Sequence, residues 1–256
     1  MTEKKEKRFR KVLQALMVCT ATALSALLFI WGIKIYVETF QIFGIEKIQI
    51  VGNRMVDSKK ILSLSALKFG EDILGLHTGE VEGRIAGYPF IKRVRVSKIL
   101  PSTVKIEILE RRPLAYITGD ELYSVDEDFF VLPPPTLSRR IDLPLITGIT
   151  LTSKIVPGMK IENKRVMLAT WILHQIKSMD PLLYLEISEV HFDRNAEIEL
   201  FGTEGGTKIL LGKKDLLLRL YTLKNFLQQI HRRKDFSAFS YIDLRFRNQV
   251  IVKERG

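Results

Sequence analysis

From Val12 to Ile33 the chain carries no charged side chain, and Leu, Ala, Ile and Phe dominate the run. A helix rises about 1.5 Å per residue, so about 20 apolar residues cross a hydrocarbon layer about 30 Å thick. The pattern predicts a transmembrane helix over 12–33, with Trp31 and Tyr36 at one interface. Past Lys34 the pattern shortens. After a connector over 34–44, Ile48 and Ile50 share one face of a strand that Val51 ends and Gly52-Asn53 terminates. Asp57 and Ser58 cap a helix bearing Ile61, Leu62 and Leu64, which Gly70 is expected to break. Thr78 opens a second helix with Val81 and Ile85 on one side. Two strands follow over 91–100 and 103–109, turning at Pro101-Ser102, and both alternate apolar with charged positions. Two helices on one face of a three-stranded sheet would bury both stripes.

Arg112-Pro113 marks a boundary. Beyond it, strands are predicted over 122–125 and 130–132 about the acidic turn Asp126-Glu127-Asp128, which reads as solvated. Leu143 to Gly148 reads as an edge-like strand, and Pro133-Pro134-Pro135 as a stiff exposed segment. A helix is predicted from Asn163 or Lys164 to Ser178. Strands then fall at 187–192, 197–201 and 207–211. Leu216, Leu217, Leu220, Leu223, Leu227 and Ile230 define a second long helix. Tyr241 to Phe246 and Gln249 to Val252 form a terminal hairpin turning at Arg247-Asn248. Little chain follows to cover its outer side. The hairpin is therefore either an open edge that a partner strand can join, or a closed strand blunted by Arg245, Arg247 and Lys253.

Charge sets the expected orientation. Lys4, Lys5, Lys7, Arg8, Arg10 and Lys11 precede the span, whereas Lys34 and Lys47 are the basic residues just after it. The positive-inside bias keeps residues 1–11 in the cytoplasm and sends the rest across. The small residues at Ala21-Thr22-Ala23 and Ser25-Ala26 would suit signal cleavage, but Leu27-Leu28-Phe29-Ile30 extends the apolar run, which favours a retained anchor. The chain is 46% hydrophobic and 27% charged with a net charge of +11, an ordinary folded composition. Its single cysteine, Cys19, lies in the span, so the outer part has no internal disulfide and no thiol nucleophile.

The residue types for catalysis are present, but their patterns are not. His77, His174, His191 and His231 form no HExxH pair. Ser65-x-x-Lys68 and Ser102-x-x-Lys105 match the penicillin-binding spacing, yet they fall at a helix end and a hairpin turn, without KTG or SDN elements. Asp120, Glu121, Asp126, Glu127 and Asp128 crowd one or two turns, and do not face one another across a cleft. No phosphate-cradling glycine loop is found. Binding is the stronger class.

Taken in order, several segments resemble the bacterial cell division family FtsQ, called DivIB in Gram-positive bacteria. They are the basic tail and span, Ile45 to Asn53, Pro89 to Val96, Leu100 to Val104 and Glu110-Arg111-Arg112-Pro113-Leu114-Ala115. Val125-Asp126, Leu143 to Gly148 and Tyr241 to Arg245 complete the set. One departure is Phe129, where the family usually has Gly. The resemblance implies an α+β protein: cytoplasmic tail 1–11, transmembrane helix 12–33, connector 34–44, a POTRA domain over 45–113 and a mainly antiparallel β-domain with flanking helices over 114–256. It implies a non-enzymatic, single-pass scaffold of the inner (plasma) membrane at the division septum, with its C-terminal domains periplasmic or extracytoplasmic. Such a scaffold links early and late proteins of the divisome. FtsB and FtsL are the implied partners, with FtsB adding a strand to the last strand. The implied contacts are Arg219, Tyr241, Arg245, Phe246, Asn248 and Val250, with Phe246 as aromatic anchor and the two arginines pairing with acids. Ile45, Ile48, Ile50 and Gly52 on the first POTRA strand would serve recruitment. No cofactor, metal, nucleic acid or small-molecule substrate is implied. The alternative is a cell-wall enzyme, or a direct regulator of peptidoglycan synthesis, at the outer membrane face.

Overall fold

The computed structural model describes residues 3–40, 42–134, 142–151, 154–230, 236–247 and 249–255. Helix α1 (Glu3–Phe40) contains the apolar run. Within it Leu16–Tyr36 is, among the described residues, the one stretch long and apolar enough to cross a membrane, and none of it is buried against protein. Apolar side chains all round a helix with nothing packed on them match lipid as the surrounding solvent. The helix runs on through residues 34–40, where a connector is expected, because neither Gly nor Pro interrupts the sequence there.

Two compact units follow from the chain's contacts. Unit one comprises Met1–Asn53, Asp57–Arg84 and Val94–Ile108. Unit two comprises Arg54–Val56, Ile85–Arg93 and Leu109–Gly256.

Strand β1 (Lys47–Val51) is followed by helices α2 (Ser58–Ser65) and α3 (Thr78–Ala86), then strands β2 (Ile91–Ile99) and β3 (Thr103–Glu110). The sheet order is β1-β3-β2, and β1 runs parallel to β3 with Ile48 opposite Val104 and Ile50 opposite Ile106. A parallel pair needs a long crossover, which the two helices provide. Ile45, Ile61, Ile73, Val81, Val104 and Ile106 are buried in this unit. Asp57 caps α2 by accepting from the Lys59 backbone N–H. The helix ends sooner than expected: Ala66 adopts the left-handed conformation at φ 55°, and Gly70 instead turns the following loop.

Unit two holds a nine-stranded sheet. Its strands are β4 (Pro113–Thr118), β5 (Leu122–Asp126), β6 (Val131–Leu132), β7 (Leu145–Thr147), β8 (Ile187–Phe192), β9 (Ile198–Gly202), β10 (Lys208–Gly212), β11 (Phe239–Asp243) and β12 (Ile251–Glu254). The order is β12-β11-β10-β9-β8-β7-β4-β5-β6. Helices α4 (Lys164–Met179), α5 (Pro181–Leu185) and α6 (Leu216–Ile230) bring Ile172, Leu173, Ile176, Leu183, Leu220 and Leu223 into one core with Ile146, Val190 and Leu200 from the strands. Asn163 caps α4 and Asp180 caps α5, each through a side-chain oxygen accepting two backbone N–H groups. Five of the strand contacts are antiparallel; β4–β7, β7–β8 and β10–β11 are parallel.

Four local expectations change here. The 143–148 segment is central: β7 pairs on both sides, with β4 and with β8. Strand β4 and helix α5 appear where no element is expected. The acidic turn is not solvated throughout, since Asp126 is only 1% exposed. Its Oδ1 accepts from the N–H groups of Asp128 and Phe130, and its Oδ2 from Arg111 Nη1 at 2.8 Å. Phe129 stands in that turn at φ 69°, the left-handed region that a glycine would occupy without strain.

Candidate functional site

The last two strands close one side of the nine-stranded sheet. β11 lies parallel to β10, with Lys208 opposite Tyr241, and β12 lies antiparallel to β11, with Tyr241 opposite Lys253 and Asp243 opposite Ile251. The strand order places β12 outermost, so one of its sides has no neighbouring strand among the described residues. An outer strand leaves a row of backbone N–H and C=O groups to water or to another chain. The hairpin is wider than expected: its strands are 239–243 and 251–254, and residues 244–250 form the connection.

That connection is tied down by arginines. Arg245 Nε and Nη2 donate to Asp243 Oδ1 and Oδ2 at 3.0 and 2.8 Å, and the Arg245 backbone N–H donates to the same Oδ1 at 2.9 Å. Arg245 Nη1 reaches Glu197 Oε2 at 2.9 Å. Burial pushes the Asp243 carboxyl up, but the arginine's hydrogen bonds and charge outweigh it and hold it below the ordinary range. The same partners raise the guanidinium. Arg219, in the first turn of α6, donates from Nη1 to the Leu211 carbonyl and from Nη2 to the Arg245 carbonyl at 3.3 Å. Room for it exists because residue 212 is glycine. Gly212 sits at φ 69°, and a Cβ there would lie 2.5 Å from Arg219 Nη1.

The structure therefore brings Arg219 and Arg245 together, but as internal anchors engaged with Asp243, Glu197 and backbone carbonyls. Phe246, in the connection, is 48% exposed. Tyr241 lies on β11, one strand in from the edge, half-buried. Val250 is half-buried and packs against the core. Asn248 lies outside the described residues. On the three-stranded sheet, β1 is an edge strand with Ile48 and Ile50 half-buried. Ile45 is 1% exposed and is a core residue, not a surface one. Gly52 holds φ 89° against the Ile108 carbonyl, where a Cβ would collide, so its role is conformational.

Sequence reasoning missed the acids that hold Arg245. It also missed the outward Leu217, Leu218 and Tyr221 on α6. A signal exists for these: Leu216-Leu217-Leu218 is a consecutive run, and one helix stripe cannot bury all three. Leu217, assigned to the buried stripe, is 43% exposed.

The catalytic candidates do not assemble. Ser65 Oγ donates to the Leu62 carbonyl, Ser102 Oγ to Glu46 Oε2, and Lys105 Nζ to Glu107 Oε1. Thr147, Glu189 and His191 cluster on β7 and β8. Both the Thr147 hydroxyl, at 2.6 Å, and the Glu189 carboxylate, at 3.5 Å, approach the same ring nitrogen, His191 Nδ1. A hydroxyl nucleophile and its orienting acid need opposite ring nitrogens. Among the described residues no group of three or more His, Cys, Asp or Glu is arranged to hold a metal ion. A cavity of about 470 Å³ is lined in part by Arg112, Leu114, Asp126, His174 and Lys177. Burial, reinforced by Arg112, lowers the Lys177 ammonium from its ordinary value.

Residues 43–111 match the family model described as POTRA domain, FtsQ-type, and residues 112–253 match that of FtsQ/DivIB, C-terminal related. The chain is similar to the cell division protein FtsQ of Geotalea daltonii, 28% identical over 226 residues, covering 88% of this chain and 80% of that one. It is also similar to the FtsQ of Syntrophotalea carbinolica, 27% identical over 211 residues (82% and 74% covered). The cell division protein DivIB of Clostridium acetobutylicum is 29% identical over 132 residues, 51% of this chain and 53% of that one.

Proposed function

The chain belongs to the FtsQ/DivIB family of cell division proteins, and from that premise we propose that it is a non-enzymatic scaffold of the bacterial divisome. In this reading α1 crosses the inner membrane once. The basic tail stays in the cytoplasm, and the modules at 45–113 and 114–256 work outside it at the septum. The asymmetry of Lys and Arg around the span supports that orientation.

The FtsB–FtsL pair is the proposed partner, and a strand of FtsB is the proposed guest at β12. The observation that carries this reading is the position of β12 at the end of a nine-stranded sheet. Strand addition draws affinity from main-chain hydrogen bonds and specificity from side-chain anchors beside the edge. Phe246, half-exposed in the connection before β12, suits the anchor role. Because Arg245 and Arg219 are engaged internally, their contribution is to hold the edge in shape before the partner arrives. Such pre-ordering lowers the entropy cost of binding. The edge strand β1, with Ile48 and Ile50, is the proposed recruitment element, and it too would act through its backbone.

Phe246→Lys in the full-length protein tests the reading. The variant should keep its thermal midpoint and fail to co-purify FtsB. Undiminished capture of FtsB by a folded variant refutes the proposed edge.

A further inference from the structure

We infer that unit one carries a second membrane contact, an apolar tip built from the 68–76 loop and the 99–102 turn that dips into the bilayer interface beside α1. This rests on the reading of α1 as a membrane span.

The first observation is connectivity. The Ile73 N–H donates to the Phe43 carbonyl at 2.8 Å, Ile45 N–H to the Glu71 carbonyl at 2.9 Å, and Gly70 N–H to the Ile45 carbonyl at 2.9 Å. The Glu46 N–H bonds the Ser102 carbonyl at 2.9 Å, and Lys98 Nζ bonds the Leu74 carbonyl at 2.8 Å. The loop, the turn and the start of β1 are thus one bonded end of the unit. Phe43, to which it is bonded, follows the last helical residue of α1, Phe40, by three positions. From Tyr36, four helical residues and three extended ones reach at most about 17 Å, so this end cannot lie far from the span's exit.

The second observation is chemical. Phe69 and Leu100 are 64% and 57% exposed, and Leu74 and Ile99 are also exposed. Four large apolar side chains on two adjacent loops exceed the scatter of single exposed residues on soluble surfaces. Lys47, Lys68 and Lys98 are matched by Glu46, Glu71 and Asp72. Each of those acids has a local donor: Ser102 Oγ, the Lys68 N–H and the Leu74 N–H. The tip is therefore apolar with balanced charge, fit for acyl chains and headgroups of any sign. The exposed Lys47 and Lys68 beside it can extend their stems outward to phosphates.

The full chain in nanodiscs tests this with lipids brominated high on the acyl chain, which quench tryptophan on contact. A Trp171→Phe variant retains Trp31 and reports the span. Phe69→Trp and Leu100→Trp, each in a background with Trp31→Phe and Trp171→Phe, report the tip. Leu182→Trp in that background is the exposed reference in unit two. Interfacial depth of about 5–10 Å should make the F69W and L100W indoles lose about half their emission, with a blue shift that persists in high salt, while the L182W indole stays unquenched. If Trp31 is quenched and the F69W and L100W indoles behave like the L182W indole, the tip faces water or a protein partner and the inference is wrong. If Trp31 itself is not quenched, the span reading fails, and the tip fails with it.

Discussion

Arg245 and Asp243 form a closed pair two residues apart, in which the guanidinium bonds both carboxylate oxygens and the arginine's own N–H bonds one of them. The pair folds the chain back at the point where β11 ends.

That pair makes the edge acid-sensitive in one sense only. The Asp243 carboxyl is depressed below its ordinary value of 3.8, despite the opposing effect of burial. A depressed carboxyl stabilises fully above its unfolded value and loses that contribution as pH falls through the folded one. Measured relative to the intrinsic, pH-dependent rate, amide hydrogen exchange in 244–252 should therefore keep the same protection from neutrality down to that ordinary value and become faster below it. Asp243→Asn should show the faster exchange already at neutral pH.

Gly212→Ala would place a methyl group against the Arg219 guanidinium and force a left-handed alanine. A loss of about 1–3 kcal/mol in urea unfolding is expected, from backbone strain plus displacement of the arginine. Arg219→Ala in the same chain should recover part of it by removing the collision.

Phe129 separates two effects that usually travel together. Both Phe129→Ala and Phe129→Gly delete the half-buried ring, but only alanine keeps a Cβ at φ 69°. The glycine variant should be the more stable of the two by about 1 kcal/mol in denaturant titrations. Equal stabilities would mean that the turn relaxes.

Glu110 accepts the N–H groups of Arg54, Met55 and Val56 at 2.9, 2.7 and 2.8 Å and is nearly buried. Glu110→Gln keeps the shape but swaps one acceptor for a donor facing those N–H groups. It should cost about 1–3 kcal/mol in stability. Exchange at residues 54–56 should rise with it.

Much of this fold is readable where the pattern is local. The alternation of Val104, Ile106 and Ile108 with Lys105 and Glu107 gives β3 directly, and Asn163 followed by Val166 and Ala169 gives the start of α4. What depends on distant partners is not readable. Leu145-Ile146-Thr147 has the same short apolar form whether a strand lies at an edge or in the middle, and its two parallel neighbours come from residues 116–117 and 189–191. Asp126 looks like a solvent-facing acid until Arg111 is brought to it from across the β4–β5 hairpin. The site divides the same way. A terminal hairpin follows from the alternation around Tyr241 to Val252, but its wide connection does not. Nothing near Arg245 in sequence marks Glu197 as its second partner. The family resemblance made Arg219 and Arg245 candidates for pairing with a partner's acids, and within the chain both are already engaged, Arg245 with Asp243 and Glu197 and Arg219 with backbone carbonyls.

The residue just past β12 limits what can happen at this edge. Arg255 donates from its guanidinium to the carbonyls of Gly205 and Phe239, and its N–H bonds Ala238 at 2.8 Å. Peeling the final strand away would break all of these clasps at once, so exchange with an intruding segment is disfavoured. Under the proposed strand addition, a visiting strand would instead dock alongside β12 as a tenth member. Association of that kind needs no prior opening, and it can be undone without disturbing the host.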